Sequence, residues 1–213
     1  QGYGLTETSP ILTVMDGEIH NRCFESGDVA RLRSVGTPVA GLQMRIVDHQ
    51  DRVLSTGETG EVVVRGPNVS PGYFNRDEEN ARAFRGGWFH TGDVGRLDED
   101  GFLTLVDRIK DVIVTGGENV YSTEVEAALY RHPDVAEAAV IGIPDEKLGE
   151  ALFAVIICKP GKTLEAGEII AHCRQLIGGF KIPRKMVFVD ALPRTALGKV
   201  QKNVLRQKYD GAK

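Results

Sequence analysis

Five polar clusters carry residue types that could bind or move charged groups. In Gln1-Gly2-Tyr3-Gly4-Leu5-Thr6-Glu7-Thr8, a tyrosine stands between glycines and a hydroxyl stands beside a carboxylate. Glycine lets backbone approach a ligand closely, the ring offers a stacking face, and hard oxygens suit Mg²⁺, which shares its shell with substrate phosphates. In His90-Thr91-Gly92-Asp93, a carboxylate next to glycine can accept both hydroxyls of a ribose. Neither a nucleophile nor a metal ligand stands at useful spacing from His90, which reads as structural. Asp107-Arg108-Ile109-Lys110-Asp111 alternates charges and suits a solvated linker or a hinge. Thr115-Gly116-Gly117-Glu118-Asn119 lacks both the P-loop lysine and GxGxxG spacing, so neither nucleotide fingerprint applies. Lys199 follows Gly198 in a loop that Pro193 opens, where a lysine can place a point charge on a phosphate. Each cluster, taken alone, also makes an ordinary polar turn.

The elements that must position these clusters change character along the chain. Residues 29–107 read as β-rich: Leu42, Met44 and Ile46 alternate with Gln43 and Arg45, and Glu61 to Arg65 and Phe102 to Val106 form two further strands. Pro67 to Gly92 reads as a long loop with a short helix from Asp77 to Phe84. After Arg108, Thr123 and Glu126 have the spacing of a capping box for a helix ending at His132-Pro133. Ala138 to Ile143 and Ala151 to Cys158 suit buried strands, and Ile169 to Ile177 follow helical spacing before Gly178-Gly179. Met186 to Val189 reads as a strand and Asn203 to Tyr209 as a last helix. The second half is thus expected to be a small α+β domain.

Composition narrows the class. Apolar residues make up 41% and charged residues 26% of the 213, ordinary for a folded domain or two. The net charge of −4 argues against coating nucleic acid. It hides a basic end, since Lys181 to Lys213 holds 9 basic residues and 2 acidic ones. Cys23, Cys158 and Cys173 form no CxxC pair, as expected of a reduced cytoplasmic protein. The longest apolar stretch, Ala151 to Cys158, falls far short of the ~20 residues a membrane helix needs, so no transmembrane segment is expected. Gln1 opens the chain inside a motif, which reads as a cut chain.

In this order the clusters resemble the adenylate-forming enzymes, in particular the fatty-acid and related acyl-coenzyme A synthetases. The landmarks run over the whole chain: Tyr3-Gly-Leu-Thr-Glu, Pro71-Gly-Tyr-Phe, Trp88-Phe-His-Thr-Gly-Asp, Asp107-Arg-Ile-Lys-Asp, Gly116-Gly-Glu-Asn, Ile143-Pro-Asp and Gly198-Lys199. The resemblance implies an α+β fold, with the β-rich, distorted-barrel-like end of a large adenylation domain over residues 1–107. A hinge at 108–110 and a mobile lid over 111–213 would follow. It implies a reaction in two halves: ATP and a carboxylic acid of fatty type give an acyl-adenylate and pyrophosphate, and the acyl group then passes to coenzyme A. Gln1, Gly2 and Tyr3 would line the adenine site, Thr6 would touch phosphate, and Glu7 would hold Mg²⁺. Asp93 would accept the ribose hydroxyls with Arg108 in support, and Lys199 would stabilise charge at the α-phosphate. Asp107 and Lys110 would belong to the hinge, and Gly116 and Gly117 would form the coenzyme A passage.

Two departures stand beside the resemblance. Val114 occupies a position where some relatives carry a second lysine, and the Ser/Thr/Gly-rich phosphate loop of the family is not in these 213 residues. The piece by itself is therefore expected to lack ligase activity. Competing expectations are an adenylation unit loading a carrier protein, an oxidative light-producing relative, and a polyanion-binding module built on the basic end. No nucleic-acid partner is expected on the favoured reading, and a homo-oligomer is compatible with it.

Overall fold

The computed structural model describes residues 1–210; the basic end read from the sequence runs on into 211–213, which lie outside the described residues. The backbone divides after Ile109 into two units, Gln1–Ile109 and Lys110–Lys213.

In the first unit, β1 (Gly2–Tyr3) and β2 (Thr13–Val14) precede two helices, α1 (Gly17–Ser26) and α2 (Val29–Leu32). Asp16 caps α1 by accepting from the Glu18 amide, Asp28 caps α2 through the Arg31 amide, and Gly27 ends α1 in the left-handed region. β3 (Thr37–Pro38) completes an antiparallel sheet of order β1-β2-β3. β4 (Gln43–Val47), β5 (Gly60–Arg65), α3 (Asp77–Ala83), β6 (Phe89–Leu97) and β7 (Leu103–Arg108) follow. The four strands form an antiparallel meander, β4-β5-β6-β7, and no closed barrel appears among the described residues. Leu12, Ile46, Val62, Val64, Phe89 and Leu103 form its core, against which Tyr3 packs.

β6 is the largest departure from the pattern in the sequence, which places residues up to Gly92 in a loop. Its run Phe-His-Thr-Gly-Asp-Val-Gly-Arg-Leu does not alternate, yet pairs on both sides. Gly95 is required by packing: a Cβ there would lie 3.0 Å from both the Leu103 side chain and the Thr104 carbonyl. Ladder bonds from β5 and β7 thus override a weak local signal.

The second unit holds β8 (Ile113–Thr115), β9 (Glu118–Val120), α4 (Ser122–Tyr130), β10 (Val135–Asp145), β11 (Gly149–Cys158), α5 (Ala166–Cys173), β12 (Lys185–Phe188) and α6 (Lys202–Tyr209). Its sheet runs β10-β11-β8-β9, with β12 added parallel to β11. Ala138, Val140, Leu152, Ala154 and Ile156 face α4 and α5, packing with Val125, Leu129, Ile169 and Cys173. Ala139, Ile141, Ile143, Phe153 and Val155 face α6, packing with Leu205. Burial on both faces explains why these strands read as unbroken apolar runs. Truncating a fully buried centre such as Ile156 to Ala costs about 2–5 kcal/mol.

α4 opens ahead of Thr123: its N-cap is Tyr121, whose side chain makes no cap hydrogen bond. Glu126 accepts from the Val140 amide at 2.9 Å and pairs with Lys202 at 2.6 Å, tying α4 to β10 and α6. α5 begins earlier than the apolar spacing suggests and ends at Cys173, opened by a reciprocal Glu165–Glu168 box. All three cysteines are free thiols. Among the described residues no helix is long and apolar enough to cross a membrane.

Candidate functional site

Two groups of residues can be built separately, one on each unit. On the first, β6 and β7 bring Asp93 and Arg108 opposite one another as a cross-strand pair. Arg108 Nε lies 3.3 Å from Asp93 Oδ1, and the Asp93 side chain is 11% exposed against 51% for Arg108. From β1, the Tyr3 hydroxyl donates to Asp93 Oδ2 at 2.6 Å. Burial and then the Asp93 carboxylate hold the Tyr3 phenol far above the usual tyrosine range, so it remains a donor. Residues 90 positions apart thus fix one carboxylate from both sides.

The loop after β1 turns through a short 3₁₀ segment, Thr6–Thr8, whose first turn carries Glu7. The Leu5 amide donates to the Thr8 hydroxyl at 3.0 Å, the Ser70 amide donates to the Glu7 carbonyl at 2.8 Å, and Asn68 Nδ2 donates to the Thr8 and Ile11 carbonyls. Gly4 serves this internal packing: a Cβ would sit 1.7 Å from the Pro10 carbonyl oxygen. The glycine that the sequence offers for ligand approach is therefore already demanded by the loop. Gly2 is exposed in the sheet, Gln1 is exposed with its carbonyl accepting from the Met15 amide at 2.7 Å, and Thr6 is exposed.

Glu7 is half-buried, and its Oε1 accepts from the Tyr73 hydroxyl at 2.8 Å. Partial burial and then Glu7 push the Tyr73 phenol up to about 12. No group of three or more His, Cys, Asp or Glu that could hold a metal occurs among the described residues. A lone carboxylate beside an exposed threonine hydroxyl suits Mg²⁺ drawing most of its shell from phosphates and water, and does not suit a protein-built cage.

On the second unit, Lys199 stands on a tight loop rather than a free arm. Arg194 and Val200 pair across its base, and the Thr195 and Gly198 amides donate to the Lys199 and Thr195 carbonyls at 2.8 and 2.9 Å. Gly198 takes φ +82, and Arg194 pins the loop by donating to the Gly198 carbonyl and pairing with Glu137 of β10. The Lys199 ammonium is exposed without an ion-pair partner among the described residues, so its freedom lies in the side chain.

Gly116 and Gly117 join β8 to β9 with φ +59 and +84. Positive φ at both centres of a two-residue hairpin is the type I′ turn, so the pair answers first to turn geometry. A cavity of about 210 Å³ lies beside it, lined by residues including Gly116, Leu148, Phe180, Ile182 and Arg184. Val114 is exposed, and its amide donates to Glu150 at 2.8 Å. Lys110 is exposed in the turn Ile109–Asp111, while Asp111 is buried and paired with Arg206 of α6 at 2.8 Å. Asp107 accepts from the Arg108 amide at 2.8 Å.

Two contributors were not visible in the spacing. Tyr73 stands in the Pro71-Gly-Tyr-Phe landmark, which carries no role in the sequence until its hydroxyl meets Glu7. Glu61 reads as one end of a strand, yet its carboxylate meets the His90–Gly92 segment.

Residues 1–74 match the family model described as AMP-binding enzyme, and residues 124–199 match AMP-binding enzyme C-terminal domain. The chain is 40% identical over 209 residues to feruloyl-CoA synthase of an Amycolatopsis species, covering 98% of this chain and 41% of that protein. It is 37% identical over 211 residues to long-chain-fatty-acid–CoA ligase of Escherichia coli, covering 99% and 36%. The structure of O-succinylbenzoate coenzyme A synthetase from Bacillus subtilis with ATP and magnesium ion superposes with a TM-score of 0.82 at 38% identity, covering 95% of this chain and 40% of that one. The chain therefore spans about two-fifths of the length of the curated relatives it matches.

Proposed function

Because the chain belongs to the AMP-binding enzyme family, we propose that the whole protein activates a carboxylic acid with ATP and passes the acyl group to coenzyme A. In the first half-reaction a carboxylate oxygen bonds to the α-phosphorus, the bond to pyrophosphate breaks, and acyl-adenylate forms. In the second, the thiolate of coenzyme A attacks the acyl carbon and AMP leaves.

The observation that carries this reading is the Asp93 carboxylate, buried and held between Tyr3 and Arg108 at 2.6 and 3.3 Å. With its oxygens directed in advance, Asp93 can accept the ribose hydroxyls at little cost in ordering. Tyr3, with Gln1 and Gly2 beside it, offers the adenine its ring face. Thr6 and Glu7 face the phosphates, Glu7 supplying one oxygen to Mg²⁺. Bound there, the ion would neutralise phosphate charge during displacement. Lys199 brings a mobile positive charge to the α-phosphate, where stabilising developing charge is the main catalytic task.

We assign the hinge to 108–110, pivoting at Lys110 beside Asp107. The Asp111–Arg206 pair supports this assignment, because it ties the end of the turn to α6 of the second unit. The cavity beside Gly116 and Gly117 supports a passage for the narrow thiol-bearing arm. The acid is proposed to be of fatty type. The long-chain-fatty-acid ligase relative favours that reading, and the feruloyl relative makes an aromatic acid the competing choice in a substrate screen.

The test is Lys199→Ala in the full-length protein. Acid-dependent pyrophosphate release should be abolished, while thioester formation from supplied acyl-adenylate survives. Equal loss of both steps would refute the division of labour. Transfer to a carrier-protein thiol in preference to coenzyme A would overturn the acceptor.

A further inference from the structure

We propose that Glu61 is a positioning residue for the nucleotide, fixing the segment that presents Asp93. The proposal rests on the ribose reading of Asp93 and extends it one shell outward. Glu61 of β5 pairs with Val94 and Val63 pairs with His90, so Thr91, Gly92 and Asp93 stand opposite Val62 alone. A strand with surplus residues loses its ladder bonds there and needs other groups to set its course. Glu61 provides them. Its Oε1 accepts from the Gly92 amide at 3.2 Å, and its Oε2 lies 2.8 Å from His90 Nδ1 and 3.4 Å from Arg85 Nη2.

An ionised carboxylate only accepts, so the His90 proton facing it must sit on Nδ1. Thr91 completes the brace: its hydroxyl donates to the Val62 carbonyl at 2.8 Å and accepts from the Asp93 amide at 3.1 Å. Gly92, with φ +72, makes the turn between these anchors. The Glu61 and His90 side chains are only 12% and 5% exposed. Polar groups this buried cost free energy unless they are hydrogen-bonded, and the contacts of Glu61 run to His90, Gly92 and Arg85, so its use here points to geometry. Arg85 is itself occupied, donating to both oxygens of Asp51 at 2.9 Å, and steadies the outer side of Glu61.

The experiment compares ATP with dideoxy-ATP, which lacks both ribose hydroxyls, in full-length wild type and Glu61→Gln. Wild type should prefer ATP; absence of that preference would sink the ribose reading of Asp93 itself. In Glu61→Gln, KM for ATP should rise about tenfold, the loss expected when a hydrogen bond to a charged group is displaced. KM for the acid should stay unchanged and the penalty should vanish with dideoxy-ATP. Combined with Asp93→Asn, Glu61→Gln should add nothing further. An equal penalty with both nucleotides, or additive losses in the double variant, would overturn the positioning role while leaving Asp93 in place. Should Glu61→Gln fail to fold, His90→Gln breaks the same contact from the other side and carries the same comparison.

Discussion

Tyr3 and Tyr73 each donate a hydroxyl proton to a carboxylate of the first unit, at 2.6 Å to Asp93 and 2.8 Å to Glu7. Tyr73 is the more easily titrated of the two, with its phenol pushed up to about 12 by partial burial and then by Glu7. A folded-state value above the unfolded one means stabilisation fully present below the ordinary value of 10.0 and lost as pH rises through about 12. The stability gap between wild type and Tyr73→Phe should therefore be constant below that ordinary value and close above it. Ultraviolet difference titration of the two proteins checks this; a tyrosinate step at the ordinary value belonging to Tyr73 would contradict the hydrogen bond to Glu7.

At the scale of elements, the β8–β9 hairpin separates what a turn needs from what a ligand needs. Nothing lies within 4 Å of a Cβ built on Gly117, so only its φ of +84 resists substitution. Gly117→Val should cost the second unit about 1–2 kcal/mol through left-handed strain. Gly117→Asn, a residue that type I′ turns accept, should stay close to wild type in a urea unfolding curve. If Gly117→Asn is folded and still slow in acyl transfer to coenzyme A, the defect lies in the passage and not in the turn. Normal transfer in that variant would assign the glycines to turn geometry alone.

At the scale of the molecule, each unit carries its own buried cores: Leu12 to Leu103 in the first, and two in the second packed on opposite faces of one sheet. Residues 110–213 produced alone should unfold in one cooperative transition, with the amides of β10 and β11 slowest to exchange hydrogen. A broad, non-cooperative melt would mean that the second unit depends on the first for its fold. Independent cores are also what a hinge at Lys110 requires, because rigid bodies can rotate about a turn only if neither must unpack.

Much of this was legible in the chain itself. Apolar runs at Ala138–Ile143 and Ala151–Cys158 announce strands buried on both faces, and the order of short polar motifs announces the family, since both are local patterns of side-chain type. β6 was not legible, because Thr91, Gly92 and Gly95 erase its alternation and only pairing with β5 and β7 makes it a strand. For the same reason the tyrosine partners of Asp93 and Glu7 could not be read in advance, although Arg108 could: Tyr3 and Asp93 lie 90 residues apart and Tyr73 and Glu7 lie 66 apart. Which residues can do chemistry is a property of their types; which carboxylate is gripped, and from what side, depends on contacts that exist only once distant strands have closed.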